Sequence, residues 1–386
     1  MTGLADLDGR EMERRRDRFR RAWRYEPVDH MPIAAWLDDP GPYSLRQLCE
    51  DGQLQFERQW HNNDRLLRLL SDDYLPAARV WPGYVTIATV FGVPLHWGED
   101  PNQPPGVLEH PIRDLDQVAG LALPDAATRG LMPLNCRWLA YFAAHFPPEV
   151  SLAGIDLGGP LNTALDLLGA DLLYTSFCDA PEALHRLLDL ATRVQIDCLR
   201  VILEAAGGLD RMTGVDFDSV WAPEGHKGFV SDDVCATLSP ATFRDFSAPY
   251  NSRILRLWPG GRLHNCGPHP ALDHYLDHDP PLDGLNCSYR HTRGDLARIR
   301  AAFRGRGLVE LMFDNGETGD EILRGYAEIV AALAPDVVGI PLLCFDARWS
   351  DGDIREVYEG VRRIAERYAR EMNWVGAGAR GPETGR

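Results

Sequence analysis

The chain has 386 residues, of which 45% are hydrophobic and 25% are charged, and its formal net charge is −17. This length and composition are typical of a globular protein with a large core, built either as one large α/β barrel or as two α/β domains. The negative charge excludes nucleic acid and anionic membrane surfaces as expected partners.

The N-terminus and the cysteines indicate a reduced, cytoplasmic setting. Residues 10–24 form a charged stretch that lacks the apolar segment of a secretion signal. No window approaches the ~18 uninterrupted apolar residues that a membrane-spanning helix needs. The eight cysteines are scattered without a short repeating spacing. We therefore expect free thiols, of which a few could bind a metal ion.

Apolar runs taken in chain order predict β-strands, and the amphipathic segments between them predict helices. The predicted strands are residues 30–36, 74–81, 150–157, 209–217, 261–266, 282–287, 308–313 and 337–344. The helices with recognisable starts are residues 182–205, 241–258, 296–303 and 354–373. This alternation is typical of a single (β/α)8 TIM barrel, here with an N-terminal helical extension. The barrel is predicted over residues 1–375 and a disordered tail over 376–386, with a two-domain α/β chain as the alternative.

In a parallel barrel the chemistry lies at the carboxyl ends of the strands. The predicted strand ends carry aromatic, acidic and thiol side chains: Trp36 with Asp38, Trp81, Asp156, Asp216 with Asp218, Cys266, Cys287, Asp314 and Cys344. Among the acids, Asp156 and Asp232 are the candidates for a general acid or base. Acids in such loops also occur as solvated side chains or as helix caps, and for Asp232-Asp233 that interpretation stays open.

His264-Asn265-Cys266 is the most informative local motif. Residues two apart on a strand point to the same side, so His264 and Cys266 can converge on one point, and Cys344 ends another predicted strand. One imidazole and two thiolates are ligands that zinc prefers, and three protein ligands leave the open position of a catalytic site. Free cysteine is also among the most frequently buried residues. The residues alone therefore leave a zinc site and a set of core residues equally open.

Several segments resemble the uroporphyrinogen decarboxylase-like superfamily. The similarity is carried by Arg-Phe-Arg-Arg-Ala-Trp-Arg-Tyr-Glu-Pro-Val-Asp-His-Met-Pro at residues 18–32, by Gly159-Pro160 to Pro181-Glu182, by Ser231-Asp232-Asp233, by residues 238–246 and by Pro249-Tyr250. It covers about residues 15–372. Within the superfamily, His264, Cys266 and Cys344 resemble the ligand pattern of the zinc methyltransferases that pass a methyl group from a corrinoid protein to coenzyme M.

The resemblance implies a TIM barrel that binds zinc through His264, Cys266 and Cys344. It also implies a methyl- or alkyltransferase that activates a small thiol acceptor, with a methylcorrinoid on a partner protein as the donor. A metal-independent lyase or decarboxylase that uses Asp232 and Asp156 is the alternative, and a non-catalytic corrinoid-binding protein is a third hypothesis. The sequence leaves a monomer and a homodimer both open.

The chain departs from both branches of the superfamily. The decarboxylases resemble tetrapyrrole binders with an arginine-rich loop after the first strand, whereas residues 36–43 contain two acids and no arginine. An acidic rim repels a polycarboxylate, so porphyrinogen decarboxylation is not expected. Phe313-Asp314-Asn315-Gly316 stands where the methyltransferases tend to have a Gly-Asn turn. The identities of the alkyl donor, the acceptor and the fourth metal ligand therefore stay open.

Overall fold

The structure is a computed structural model, and it describes residues 3–70, 72–83, 86–217, 220–258 and 260–374. Two predictions lie outside these ranges: the strand-end position Asp218 and the tail at residues 376–386.

Parallel strands form the centre of the fold. The strands are β1 (Ala34–Asp38), β2 (Ala77–Arg79), β3 (Ser151–Ala153), β4 (Phe229–Ser231), β5 (Arg262–His264), β6 (Gly284–Ser288), β7 (Leu308–Phe313) and β8 (Val338–Asp346). Six of them form one sheet in the order β1-β8-β7-β6-β5-β4, and β2 pairs with β3 in a second, two-stranded sheet. All pairings are parallel, so the carboxyl ends of the strands in each sheet lie at one edge.

The predicted α/β class is confirmed, but the strand ladder is a curled half-barrel of six strands rather than a closed ring of eight. In the ranges described above, no ladder joins β1 to β2 or β3 to β4. The segment predicted as a strand at residues 209–217 begins instead as a 3-10 helix, Leu209–Arg211. It continues as a short link, with a parallel bridge between Leu152 and Met212 and a hydrogen bond from Val215 N to Lys227 O.

Helices cover the outside of the strands. They are α1 (Gly9–Trp23), α2 (Leu45–Glu50), α3 (Gly52–Leu69), α4 (Thr86–Val90), α5 (Met132–His145), α6 (Pro160–Leu168), α7 (Ala170–Asp179), α8 (Pro181–Ala206), α9 (Pro240–Phe246), α10 (Ala248–Leu255), α11 (Tyr289–Thr292), α12 (Leu296–Ala302), α13 (Gly319–Leu333) and α14 (Asp351–Glu371). None of these helices has both the length and the apolar character that crossing a bilayer requires.

The helix ends follow local chemistry. Proline at the first position starts α8, and Gly207, with a positive φ of 84°, ends it. Ser350 caps α14 by accepting a hydrogen bond from Asp353 N. The helix predicted at residues 241–258 is divided into α9 and α10 at Ser247. The hydroxyl group of Ser247 is buried and donates a hydrogen bond to Asp232.

Candidate metal centre at the carboxyl edge of the sheet

Two neighbouring strands bring a histidine, a cysteine and an acid together. His264 is the last residue of β5, and Cys266 follows two residues later. Ser231, the last residue of β4, lies opposite His264 in the parallel register, so Asp233 follows β4 on the same edge as Cys266. The adjacency of β4 and β5 is therefore what places the acid beside the His-x-Cys motif.

The ligand atoms of Asp233, His264 and Cys266 all lie within 4.8 Å of one another. Cys266 Sγ lies 3.4 Å and Asp233 Oδ1 lies 3.5 Å from His264 Nε2. The Cys266 N–H donates to Asp233 Oδ1 at 3.1 Å, which ties the two loops together. His264 is buried, whereas Cys266 is only half-buried.

Gly267 lets the chain turn away immediately after Cys266. Its φ is +100°, a region that residues with a side chain rarely adopt. A Cβ atom there would also lie 2.8 Å from Thr292 Oγ1. Glycine at this position is therefore required by the tight path that presents the Cys266 thiol.

A buried relay fixes the imidazole of His264. Asn286 Oδ1 lies 2.6 Å from His264 Nδ1, and Asn286 Nδ2 donates to Glu310 Oε2 at 2.8 Å. Glu310 Oε1 in turn accepts from Arg262 Nη1 at 2.9 Å. Because the amide nitrogen of Asn286 is occupied by the carboxylate, its oxygen must accept from Nδ1–H of the histidine. The Nε2 lone pair is thereby directed towards Cys266 and Asp233, the arrangement that a metal-ligating histidine needs.

The charges in the cluster favour an ion pair. Burial by itself would lower the pKa of His264. The neighbouring Asp233 carboxylate and Cys266 side chain outweigh this effect and raise that pKa well above its ordinary value. Burial likewise opposes ionisation of Asp233, yet His264 lowers the pKa of that carboxyl to about 2. A cation held by these side chains must therefore displace the proton on His264 Nε2.

Cys344, the third predicted zinc ligand, lies on β8 opposite Trp36 of β1. Its sulfur is not part of the set of ligand atoms that meet within 4.8 Å in the described part of the chain. Burial raises the pKa of this thiol to about 12, so without a cation it is a neutral, protonated group. The structure thus brings two of the three predicted ligands together and adds Asp233 to them.

Asp232 faces away from Asp233, into the break between α9 and α10. Its Oδ2 accepts from Ser247 Oγ at 2.5 Å and from Asn251 Nδ2 at 2.8 Å. The other carboxylate oxygen is buried without a hydrogen-bond partner among the described residues. Burial raises the pKa of Asp232 to about 6, although both hydrogen bonds oppose the shift.

Asp156 is half-buried in the loop after β3, next to the buried acid Asp216. Burial raises the pKa of Asp156, against the opposing pull of His264 and, more weakly, of Arg79. Asp216 accepts from the N–H groups of Leu157 and Phe217, and burial together with Asp156 raises its pKa well above the usual range. Because the carboxyl groups of Asp156 and Asp216 are neighbours, the protonated form of a carboxyl group is favoured there. A general acid requires that protonated form.

The sequence prediction missed Asp233 as a candidate ligand and Asn286 as the residue that orients His264. Asp233 could have been found from Phe229-Val230-Ser231, a short apolar run that is β4 and ends just before the two acids. Asn286 is a polar residue inside the otherwise apolar strand β6. A polar side chain at such a position needs a buried partner.

Parallel strands that end in one polar cluster place the chain in the class of α/β proteins whose site lies at the carboxyl edge of the sheet. The chain belongs to the uroporphyrinogen decarboxylase (URO-D) family, whose sequence pattern matches residues 14–213. The predicted superfamily is thereby confirmed.

Curated relatives named uroporphyrinogen decarboxylase share about a quarter of the aligned positions. The protein of Xanthomonas campestris pv. campestris (strain B100) is 27% identical over 252 residues, which are 62% of this chain and 63% of the relative. That of Xanthomonas axonopodis pv. citri (strain 306) is 27% identical over 254 residues, 62% of this chain and 64% of the relative. The match thus spans less than two thirds of these relatives.

A solved structure shares the fold over nearly its whole length. A methyltransferase from Methanosarcina mazei superimposes with a TM-score of 0.66, covering 91% of this chain and 98% of that protein. The two sequences are 19% identical, so the similarity concerns the fold.

Proposed function

We propose that this protein is a zinc-dependent methyl- or alkyltransferase that activates a small thiol acceptor. The observation that carries the proposal is the convergence of Asp233, His264 and Cys266 around one point, with His264 held in the ligating tautomer by Asn286. The fold shared with a protein named methyltransferase supports the same class.

The donor set fits zinc by its chemistry. An imidazole nitrogen, a thiolate sulfur and a carboxylate oxygen are all ligands that zinc accepts, and three of them leave a position for a substrate. Bound there, zinc would lower the pKa of a substrate thiol, whose free value is ~8.5, so that the nucleophilic thiolate forms at neutral pH. The buried relay through Asn286 would keep His264 oriented, and Asp156, which interacts electrostatically with His264, would supply or accept a proton.

The proposal also covers the alkyl donor, the closure of the barrel and the cellular setting. We propose a methylcorrinoid, carried by a partner protein that covers the carboxyl edge of the strands, as the alkyl donor. We further propose that β1–β8 close into one (β/α)8 barrel, since Thr213 N donates to Leu152 O and Val215 N to Lys227 O across the seam between β3 and β4. All eight cysteines are free, which supports a reduced, cytoplasmic setting.

Metal analysis tests the proposal directly. The purified protein, after equilibration with zinc and removal of the excess, should retain about one zinc per chain. His264→Ala and Cys266→Ala should each lose it while circular dichroism shows an unchanged fold. Cys178→Ala, which removes an exposed thiol, is the matched control and should retain zinc. A wild-type chain that retains none would overturn the zinc proposal.

Two further variants decide the third ligand. Asp233→Ala loses zinc if the carboxylate seen beside His264 is a ligand, and Cys344→Ala loses zinc if the predicted His-Cys-Cys set forms when the ion binds. Loss in both variants would indicate four protein ligands and a closed site. In that case no coordination position of the zinc ion would remain open for a substrate thiol.

A metal-independent lyase is the second candidate. It is supported by the carboxyl groups of half-buried Asp156 and buried Asp232, whose raised pKa values suit proton transfer, and by the relatives named decarboxylase. Its substrate would not be a polycarboxylate, because the acids at the same edge repel one. Full activity after zinc has been removed by a chelator would favour this candidate over the transferase.

A further inference from the structure

The loop that carries Cys266 is held by a second buried hydrogen-bond network, separate from the one that orients His264. Asn265, which is fully buried, closes the turn of this loop with its side chain. Its Oδ1 accepts from Gly267 N at 2.8 Å, and its Nδ2 donates to Pro268 O at 3.2 Å. Because Cys266 lies between these groups, the conformation of the turn determines where its sulfur is placed.

Three side chains connect the amide of Asn265 to the carbonyl group of the next residue, Cys266. Asn265 Nδ2 donates to Tyr275 Oη at 3.1 Å, and Tyr275 Oη lies 3.0 Å from His269 Nδ1. His269 Nε2 lies 2.9 Å from Thr292 Oγ1, which donates to Cys266 O at 3.4 Å. The network therefore begins and ends on neighbouring residues of the same loop and encloses its base.

The direction of the hydrogen bonds in this network follows from the chemistry of its members. Burial lowers the pKa of His269 to about 4, so at neutral pH its imidazole is neutral, with one donor and one acceptor. Thr292 uses its single hydroxyl proton on Cys266 O, so it accepts from His269 Nε2–H. His269 Nδ1 then accepts from the hydroxyl of Tyr275, which accepts in turn from Asn265. Each donor thus has an acceptor.

Such a network is not a requirement of core packing. Buried polar groups cost free energy unless each is satisfied, and apolar side chains fill a core without that condition. The network adds attachment instead: Tyr275 belongs to the 3-10 helix Leu272–Asp277 and Thr292 ends α11, so the loop is tied to two separate elements. A functional side chain must be held to within about 0.5 Å, and a double attachment of this kind supplies such precision.

We propose that Tyr275 and His269 are positioning residues that hold the Cys266 thiol in its ligating position. They act through the two groups at the ends of the network, the amide of Asn265 and the hydroxyl of Thr292. Metal ligation by the thiol rests on the proposed function, whereas the control of the loop by the network does not.

Tyr275→Phe tests the proposal, because it removes one hydroxyl and keeps the ring. In the cobalt-loaded protein, the sulfur-to-cobalt absorption of this variant should shift and weaken, and its cobalt affinity should fall about tenfold. Tyr368→Phe is the matched control, since its hydroxyl is equally buried and is bonded to Gly339 N and Val337 O at the start of β8. The control should lose a similar amount of stability and keep the wild-type absorption and affinity.

Amide hydrogen exchange of the metal-free protein tests the network without any metal. Tyr275→Phe should raise the exchange rates of the Cys266 and Gly267 N–H groups about tenfold or more, because the acceptors of both groups, on Asp233 and Asn265, are no longer held in place. Tyr368→Phe should leave these two rates unchanged.

Wild-type exchange at these two amides in Tyr275→Phe would overturn the proposal. Wild-type cobalt absorption in a variant whose exchange has risen would do the same, as would equal effects of Tyr368→Phe. If the wild-type protein binds no cobalt, the proposed thiol activation fails, and the exchange comparison by itself decides whether the network holds the loop.

Discussion

At the scale of single residues, the orientation of His264 depends on a neighbour that does not itself lie in the ligand cluster. Asn286 is buried, and its two amide atoms are divided between His264 and Glu310. We expect Asn286→Ala to lower zinc affinity by about 10–100-fold, because the imidazole loses the acceptor that fixes its tautomer. Competition with a chromophoric chelator measures the change.

The control for this variant is Asn102→Ala, in an exposed loop where the side chain accepts a hydrogen bond from Leu45 N. Its zinc affinity should equal that of the wild type. Unchanged affinity in Asn286→Ala would show that the relay does not orient the histidine.

Lys227, the chain's only lysine, predicts a pH dependence of stability. Its ammonium group is buried and donates to Leu209 O and Met212 O, each at 2.9 Å. Burial lowers its pKa to about 8, below the ordinary value near ~10.4. Folding therefore disfavours the protonated form, and this cost, present below pH 8, is relieved as the pH rises towards 10.

Lys227→Met removes the titrating group and isolates its contribution. The free energy of unfolding of the wild type, relative to that of Lys227→Met, should rise by about 1–2 kcal/mol between pH 7 and pH 10. Urea unfolding of both proteins at each pH measures this difference. A difference that stays constant with pH would contradict the lowered pKa.

At the scale of elements, a buried ion pair links two strands of the sheet. Arg262 on β5 and Glu310 on β7 are both almost fully buried, and β6, with Asn286, lies between them. Their carboxylate–guanidinium contact is also the far end of the relay to His264. The charges that support the site are therefore part of the core of the sheet.

Glu310→Ala should lower the free energy of unfolding by about 3–5 kcal/mol, because Arg262 loses its buried carboxylate partner. Chemical denaturation measures the loss, with Glu359→Ala on the exposed side of α14 as the control. A loss comparable to that of Glu359→Ala would mean that water or another group compensates the arginine.

Elements were predictable where the apolar pattern is long. The predicted strand at residues 308–313 coincides with β7, and the predicted helix at 182–205 lies inside α8. β4 was missed because three residues cannot show a period. The break at Ser247 was missed although Pro249, at the start of α10, signals it in the sequence, because proline inside a helix removes a backbone hydrogen bond.

At the scale of the whole molecule, one buried acid holds distant parts of the chain together. Asp73 accepts from His30 Nε2 at 2.7 Å, from Tyr358 Oη at 2.8 Å and from Arg18 Nη1 at 3.2 Å. These partners lie before β1, on α14 and on α1. The contacts thus join the N-terminal helical extension to the last helix beside the pairing of β1 with β8.

We expect Asp73→Ala to lower the free energy of unfolding by about 3–5 kcal/mol, since Arg18 and two further donors lose a buried carboxylate. Asp17→Ala removes an exposed acid of the same helix as Arg18 and should change stability by less than about 0.5 kcal/mol. Thermal and denaturant unfolding of both variants provides the comparison. Near-equal stabilities would contradict a linking role for Asp73.

The sequence by itself determined the α/β class, the family and the His264-x-Cys266 pair, because strand periodicity and local spacing are properties of neighbouring residues. Only the tertiary structure decided that Asp233 lies beside that pair, and that Asn286 and Glu310 orient the histidine. Each of these contacts joins different strands. Which strands are adjacent, and in what register, is set by packing of the whole chain rather than by any local pattern.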